Sequence, residues 1–151
     1  MDPAVLLLPA GLLQGAILTI AACYAGSHGG RPNNLFGIRL WSTTFSVTAW
    51  QAGHRAGLNY SWSLLVQASA SLGVGIWLVQ STTDASTAVV TSYTLGSLIS
   101  FLLATLMVVY RTHRAAKAIA INQVLTEEAE LIDAIVNQRL AEQDPSHKAT
   151  D

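Results

Sequence analysis

The chain alternates between long apolar stretches and shorter polar ones. Three apolar stretches run from Ala4 to Tyr24, from Trp62 to Gln80 and from Ala88 to Tyr110, and none contains Asp, Glu, Lys or Arg. A helix of about 20 apolar residues crosses the hydrocarbon core of a bilayer, and backbone groups in lipid must bond within their own segment. The pattern predicts an all-α membrane protein with a three-helix transmembrane domain over residues 1–110, in which residues 25–61 form the first connecting loop.

A different periodicity follows the third stretch. Small or apolar residues recur at spacings of three, four, four, three, four and four, and we call this set the tail seam: Ala118, Ile121, Leu125, Ala129, Ile132, Val136 and Leu140. The spacing predicts an amphipathic helix over residues 111–142, followed by a flexible tail over 143–151. Thr126, which precedes Glu127 and Glu128, would suit a helix that restarts after a bend.

The tail seam needs a surface to cover it. The inner leaflet, the chain's own loop, a second copy and a foreign subunit are the alternatives. Residues 127–142 carry five carboxylates against Arg139 alone, and anionic lipid would repel that balance. We therefore expect a protein partner for the distal half, bound through the large members of the seam: Ile121, Leu125, Ile132, Val136 and Leu140.

The loop between the first two stretches contains its own helical pattern. A helix is predicted to begin near Ser42 or Ser46, either of which can cap its N-terminus, and to end at about Gly57, a residue typical of the position after a helix. Trp50 and His54 lie four residues apart and share one face. We expect a short interfacial helix on the inner leaflet, with Trp50 anchored at the membrane interface and His54 packed beside it.

Charge sets the orientation. Only 11% of the residues are charged, against about 25% in ordinary soluble domains. The N-terminal flank and the second loop carry no Lys or Arg, whereas basic residues occupy the first loop and the segment after the third stretch: Arg31, Arg39, Arg55, Arg111, Arg114 and Lys117. Because cytoplasmic segments are enriched in basic residues, the N-terminus is predicted outside and the C-terminus in the cytoplasm.

Several classes of function are disfavoured. The net charge of −1 argues against nucleic acid, which requires a basic surface, and spans without ionisable residues argue against a pump or transporter. The sequence has no catalytic constellation and no motif for a cofactor or metal, so we expect no enzyme and no cofactor. The single cysteine, Cys23, is interpreted as a small helix-packing residue, with lipidation as the alternative.

Small residues in the spans favour close helix packing. The first span contains Gly11 and Gly15, and the third has a small residue at every fourth position from Ala88 to Ala104. These faces would serve either a compact bundle or a partner's helix, and the sequence leaves both open. A homo-oligomer is a further possible arrangement of the chain.

The loop carries an ordered set of polar and aromatic residues. Asn33 or Asn34 comes first, and the set continues with Gly37, Ile38, Arg39, Thr43, Ser46, Trp50 and His54. This set resembles the signature of the SdpI family of bacterial membrane proteins. The chain departs from the family at Val47 and Thr48, where members often carry acidic residues, and at Leu40, where many have threonine.

The resemblance implies a bacterial plasma-membrane protein whose loop residues bind a ligand or partner. For the family's namesake it implies immunity against a secreted killing factor and signalling by holding a repressor at the membrane. Arg39 would contact a carboxylate or phosphate, since a guanidinium binds both bidentately, or would anchor at lipid head groups. The competing hypothesis is a small accessory subunit of a larger membrane complex, such as a respiratory supercomplex.

Overall fold

The computed structural model describes residues 3–29, 31–32, 37–81 and 86–143. Helix is the only regular secondary structure in these residues. A short 3-10 helix, Pro3–Leu6, leads into α1, Leu7–Ser27. The loop contains α2, Trp41–Thr44, and the two longest helices follow as α3, Val47–Ser81, and α4, Thr87–Gln143. Asn33, Asn34 and residues 144–151 of the predicted flexible tail lie outside the described residues.

Three of these helices are long and apolar enough to cross a membrane, which confirms the prediction of an all-helical chain with three candidate spans. At 1.5 Å per residue, α3 is about 52 Å long and α4 about 86 Å. Both exceed the ~30 Å hydrocarbon core of a bilayer. Each is therefore long enough to cross the membrane with only part of its length and to continue beyond it.

The central helix of the bundle is α3. It packs against α1 on one side and against α4 on the other, while α1 and α4 touch little. The buried core joins all three helices through Leu12, Ala16, Leu64, Ala68 and Val108. Alanine at two of these five positions allows the helix backbones to approach closely, which is how membrane helices associate in the absence of a hydrophobic driving force.

Hydrogen bonds between α3 and α4 reinforce this packing inside the apolar region. Ser71 Oγ donates to Ser97 Oγ over 2.7 Å, and Tyr93 Oη donates to the Ser71 carbonyl over 2.7 Å. Gln67 Nε2 donates to the Ser97 carbonyl over 3.3 Å. Such bonds contribute roughly 0.6 kcal/mol each in membrane proteins, so they align the two helices more than they hold them together.

The predicted short interfacial helix is not a separate element. It does begin directly after Ser46, but α3 continues through Gly57 to Ser81. Gly57 serves helix packing instead of helix termination, because a Cβ atom at this position would meet Thr112 of α4 and lie 3.2 Å from Cys23 Sγ of α1. The prediction of a helix end at Gly57 was therefore wrong.

The predicted tail helix is likewise continuous with the third span. One helix runs from Thr87 to Gln143 without a break. Thr126 does not restart it, since its hydroxyl donates to the Asn122 carbonyl one turn earlier over 2.9 Å. The tail seam therefore lies on the same continuous helix as the third candidate span.

Candidate functional site

A tight turn brings the loop back onto α3. Gly37 has a φ of +107°, a conformation that residues with a Cβ atom rarely adopt. After it, Thr43 Oγ1 accepts a hydrogen bond from Leu40 N–H over 2.9 Å. The same hydroxyl donates to the Ile38 carbonyl over 2.8 Å and lies 2.9 Å from the Leu40 carbonyl. One buried threonine side chain therefore holds together the turn before α2.

His54 closes this turn from α3. Its Nε2 accepts a hydrogen bond from Ile38 N–H over 3.0 Å, and its Nδ1 lies 2.8 Å from the Trp50 carbonyl. Because a backbone N–H only donates and a carbonyl only accepts, Nε2 must be unprotonated and Nδ1 must carry the proton. The two contacts fix His54 as the neutral Nδ1–H tautomer, with both ring nitrogens occupied.

Glycines make room for the two aromatic rings. His54 and Trp50 are 0% and 1% exposed, and their ring centroids are 4.1 Å apart. A Cβ atom at Gly26 of α1 would come within 2.5 Å of the His54 ring, and one at Gly37 would come within 2.6 Å of His54 Nε2 and 2.7 Å of the Trp50 ring. The pair is therefore enclosed between the end of α1 and the turn.

The loop also binds the part of α4 that follows the third span. Ser42 Oγ lies 2.8 Å from His113 Nδ1, and Ser46 Oγ donates to Gln123 Oε1 over 2.7 Å. Ser46 Oγ also accepts from Ala49 N–H over 3.1 Å, which caps the N-terminus of α3. Two polar contacts thus connect the loop to the base of the tail helix.

The structure brings most of the described candidate residues into one cluster: Gly37, Ile38, Thr43, Trp50 and His54. Ser46 lies at the edge of this cluster, and Arg39 is exposed on the surface. Trp50 does not anchor the chain at the membrane interface, because it is buried against His54. The cluster therefore maintains the shape of the loop.

Several residues of this site were not assigned to it from the sequence. Ser42 was predicted only as a possible helix cap, and His113 and Gln123 are polar residues without a distinguishing pattern. The contacts of Ser42 with His113 and of Ser46 with Gln123 join residues 71 and 77 positions apart. Gly53 and Ala116 had a usable signal, because small residues at four-residue spacing favour helix contacts. A Cβ atom at Gly53 would lie 3.1 Å from Ala116 Cβ.

The distal part of α4 forms a second candidate site. Every residue from Val124 to Glu142 is exposed. The large members of the tail seam are 44–60% exposed: Ile121, Leu125, Ile132, Val136 and Leu140. Leu131 and Ile135 are also exposed and widen the apolar face. At its proximal end the seam borders an apolar hollow of about 160 Å³ beside Trp41 and Phe45 of the loop.

The groups that these two sites expose are suited to binding a partner. Among the described residues there is no group of three His, Cys, Asp or Glu side chains that would hold a metal ion. Both nitrogens of His54 are engaged in hydrogen bonds, so it presents no base to a substrate. The loop places Arg39 at its surface, and α4 offers an exposed apolar face bordered by carboxylates.

Comparisons with protein-family models, with curated proteins and with solved structures found no match for this chain.

Proposed function

We propose that this chain is a non-enzymatic, SdpI-like membrane protein that holds a protein partner at the cytoplasmic face of a bacterial plasma membrane. The basic residues of the first loop and of the segment after the third span support this orientation, with the N-terminus outside. The loop signature supports the family type and, through it, a role in toxin immunity or membrane signalling.

The exposed distal part of α4 is the observation that carries the proposal. An amphipathic helix is stable where its apolar face is covered, and large exposed apolar patches mark interaction sites. Because α4 is continuous with the third span, a partner on this face would be held at a fixed distance from the membrane.

The contacts between loop and tail suggest how a signal would pass. Ser42 and Ser46 bind His113 and Gln123 at the base of the tail helix. A ligand that opened the loop would break both contacts and free the base of α4. Binding at the membrane surface would in this way alter the position of the partner on the tail.

An accessory subunit of a larger membrane complex, such as a respiratory supercomplex, is the second candidate. A groove of about 300 Å³ lies between α3 and α4 and is lined by Gln67, Ser71, Gly96 and Ser100. Gln67 Oε1 is buried and accepts no hydrogen bond from the described residues, and an unsatisfied carbonyl in lipid is costly. A partner's transmembrane helix with a hydroxyl or amide donor would satisfy it.

Co-purification from native membranes tests the proposal. The protein is extracted in mild detergent by a C-terminal tag, as wild type, as Ile132→Glu and as Ala134→Glu. Both changes add a carboxylate to an exposed position of α4, but only the first falls in the tail seam. We expect a stoichiometric partner that is lost from Ile132→Glu and kept by Ala134→Glu. Recovery of the wild-type protein alone would contradict the proposal.

A second pair of variants separates the two candidates. A Cβ atom at Gly96 or at Gly73 meets nothing within 4 Å, and both residues are exposed, so we expect the fold of this chain to accept leucine at either position. Gly96 lines the groove between α3 and α4 and Gly73 does not. Loss of a membrane-embedded partner from Gly96→Leu but not from Gly73→Leu would favour the accessory subunit. A soluble partner unaffected by both changes would favour signalling.

A further inference from the structure

A single carboxylate lies within the apolar face of distal α4. The helix neighbours of Glu128 at three and four residues on either side are Val124, Leu125, Leu131 and Ile132, and these positions are adjacent on a helix surface. All four are exposed apolar side chains, between 39% and 62% exposed. Glu128 forms no salt bridge or hydrogen bond with the described residues, so any surface that covers this face must also cover its charge.

The charge restricts what the covering surface is made of. Burying an ionised carboxylate against an apolar surface is costly unless a charged partner meets it. A phospholipid surface with anionic head groups repels it, and an apolar helix leaves it unpaired. The occupant must therefore present an apolar stripe that is interrupted by a cation.

A second copy of this chain does not meet that requirement. In two copies within one membrane, α4 leaves the bilayer in the same direction, so the two tails would pair in parallel. Parallel pairing in register places Glu128 against Glu128 and Arg139 against Arg139, and facing like charges destabilise the contact. The other carboxylates of residues 127–142 add to this repulsion.

From these observations we infer that the distal face of α4 binds a foreign helix that presents a lysine or arginine to Glu128 from within an apolar stripe. The inference rests on the proposed function, because it describes the partner which that function requires. Affinity comes from the apolar side chains around Glu128, and the charge pair selects among partners and fixes the register of the two helices.

Two synthetic helical peptides of about 22 residues, long enough for six turns, provide the probe. Both carry the same apolar stripe and uncharged polar flanks, and they differ at one central position of the stripe, which is lysine in one and glutamate in the other. Binding is measured by fluorescence anisotropy to the full-length protein in nanodiscs of phosphatidylcholine, which has no net charge. Empty nanodiscs correct for binding to lipid.

The wild-type protein is expected to prefer the lysine peptide by about tenfold or more, the size of effect for a close charge pair at an interface. Glu128→Lys should invert this preference, so that the glutamate peptide binds better. Glu130→Lys is the matched control: it makes the same change of charge two residues away on the opposite side of the helix, and it should leave the preference for lysine in place. Ile132→Glu should abolish binding of both peptides.

Three results would overturn the inference: no binding of the lysine peptide to wild type, equal binding of both peptides, or equal responses of the two lysine variants. The last would mean that long-range charge alone attracts the peptide. These results remain distinct from failure of the proposed function. A native partner that depends on Ile132 but tolerates Glu128→Lys refutes only the charge pair, whereas the absence of any native partner refutes the proposed function.

Discussion

Replacement of His54 by phenylalanine tests how the loop is closed. Phenylalanine keeps a ring of similar size beside Trp50 but has no acceptor for Ile38 N–H, which now donates to His54 Nε2 over 3.0 Å. A buried donor without a partner costs about 1–3 kcal/mol. The lost contact with the Trp50 carbonyl adds little, because that carbonyl also accepts the helical hydrogen bond from the backbone of residue 54.

The expected effect is local opening of the turn. An opening equilibrium shifted by about 1–3 kcal/mol speeds exchange of the Ile38 amide hydrogen by roughly fivefold to more than a hundredfold. Hydrogen–deuterium exchange at residue resolution in nanodiscs measures this directly. Amides in the middle of α3, around Leu64, serve as the internal reference and should exchange as in wild type.

Two further substitutions separate the contribution of this hydrogen bond to the stability of the closed turn from the contribution of ring packing. His54→Gln supplies an amide oxygen as acceptor and should restore much of the protection of Ile38. His54→Ala removes the ring as well and should add a packing loss of roughly 3–5 kcal/mol, as for other buried rings. If Ile38 exchanges at the wild-type rate in the phenylalanine variant, the bond between His54 and Ile38 does not close the loop and this reasoning is wrong.

Three other predictions concern stability and are measured by thermal unfolding in detergent. Gly37→Ala should lose several kcal/mol through its clash with the histidine ring, whereas Gly29→Ala, which shares a positive φ but meets no atom within 4 Å, should lose only about 1 kcal/mol. Ser46→Ala should lose about 1–2 kcal/mol with its cap and its contact to α4, against almost none for the exposed Ser63→Ala. Leu64→Ala, fully buried in the core, should lose about 2–5 kcal/mol. Equal losses within the glycine pair or the serine pair would contradict the packing described above.

The spans could be predicted because lipid imposes a simple rule on sequence. About 20 apolar residues without a charge must form a helix to cross the bilayer. The first stretch that meets this rule covers the end of the 3-10 helix and most of α1, and the other two lie within α3 and α4. Where the helices end depends on other helices and not on the local pattern. Gly57 looks like a terminating residue, yet its missing side chain makes room for Thr112 and Cys23.

The loop site could be predicted only in part, for the same reason. Four-residue spacing placed Trp50 and His54 on one face, but no pattern in the sequence predicted the turn at Gly37 that brings Ile38 onto His54. The contacts of Ser42 with His113 and of Ser46 with Gln123 join residues 71 and 77 positions apart, and no periodicity links them. The burial of Trp50 follows from Gly26 and Gly37, which leave space for the rings in three dimensions.

Photo-crosslinking in intact cells tests whether distal α4 binds a protein. A photoreactive amino acid is placed at Ile132, within the tail seam, or at Ala134, on the opposite side of the same helix. We expect one protein adduct of defined mass from position 132 and none from position 134. No protein adduct from position 132, or the same adducts from both positions, would contradict it.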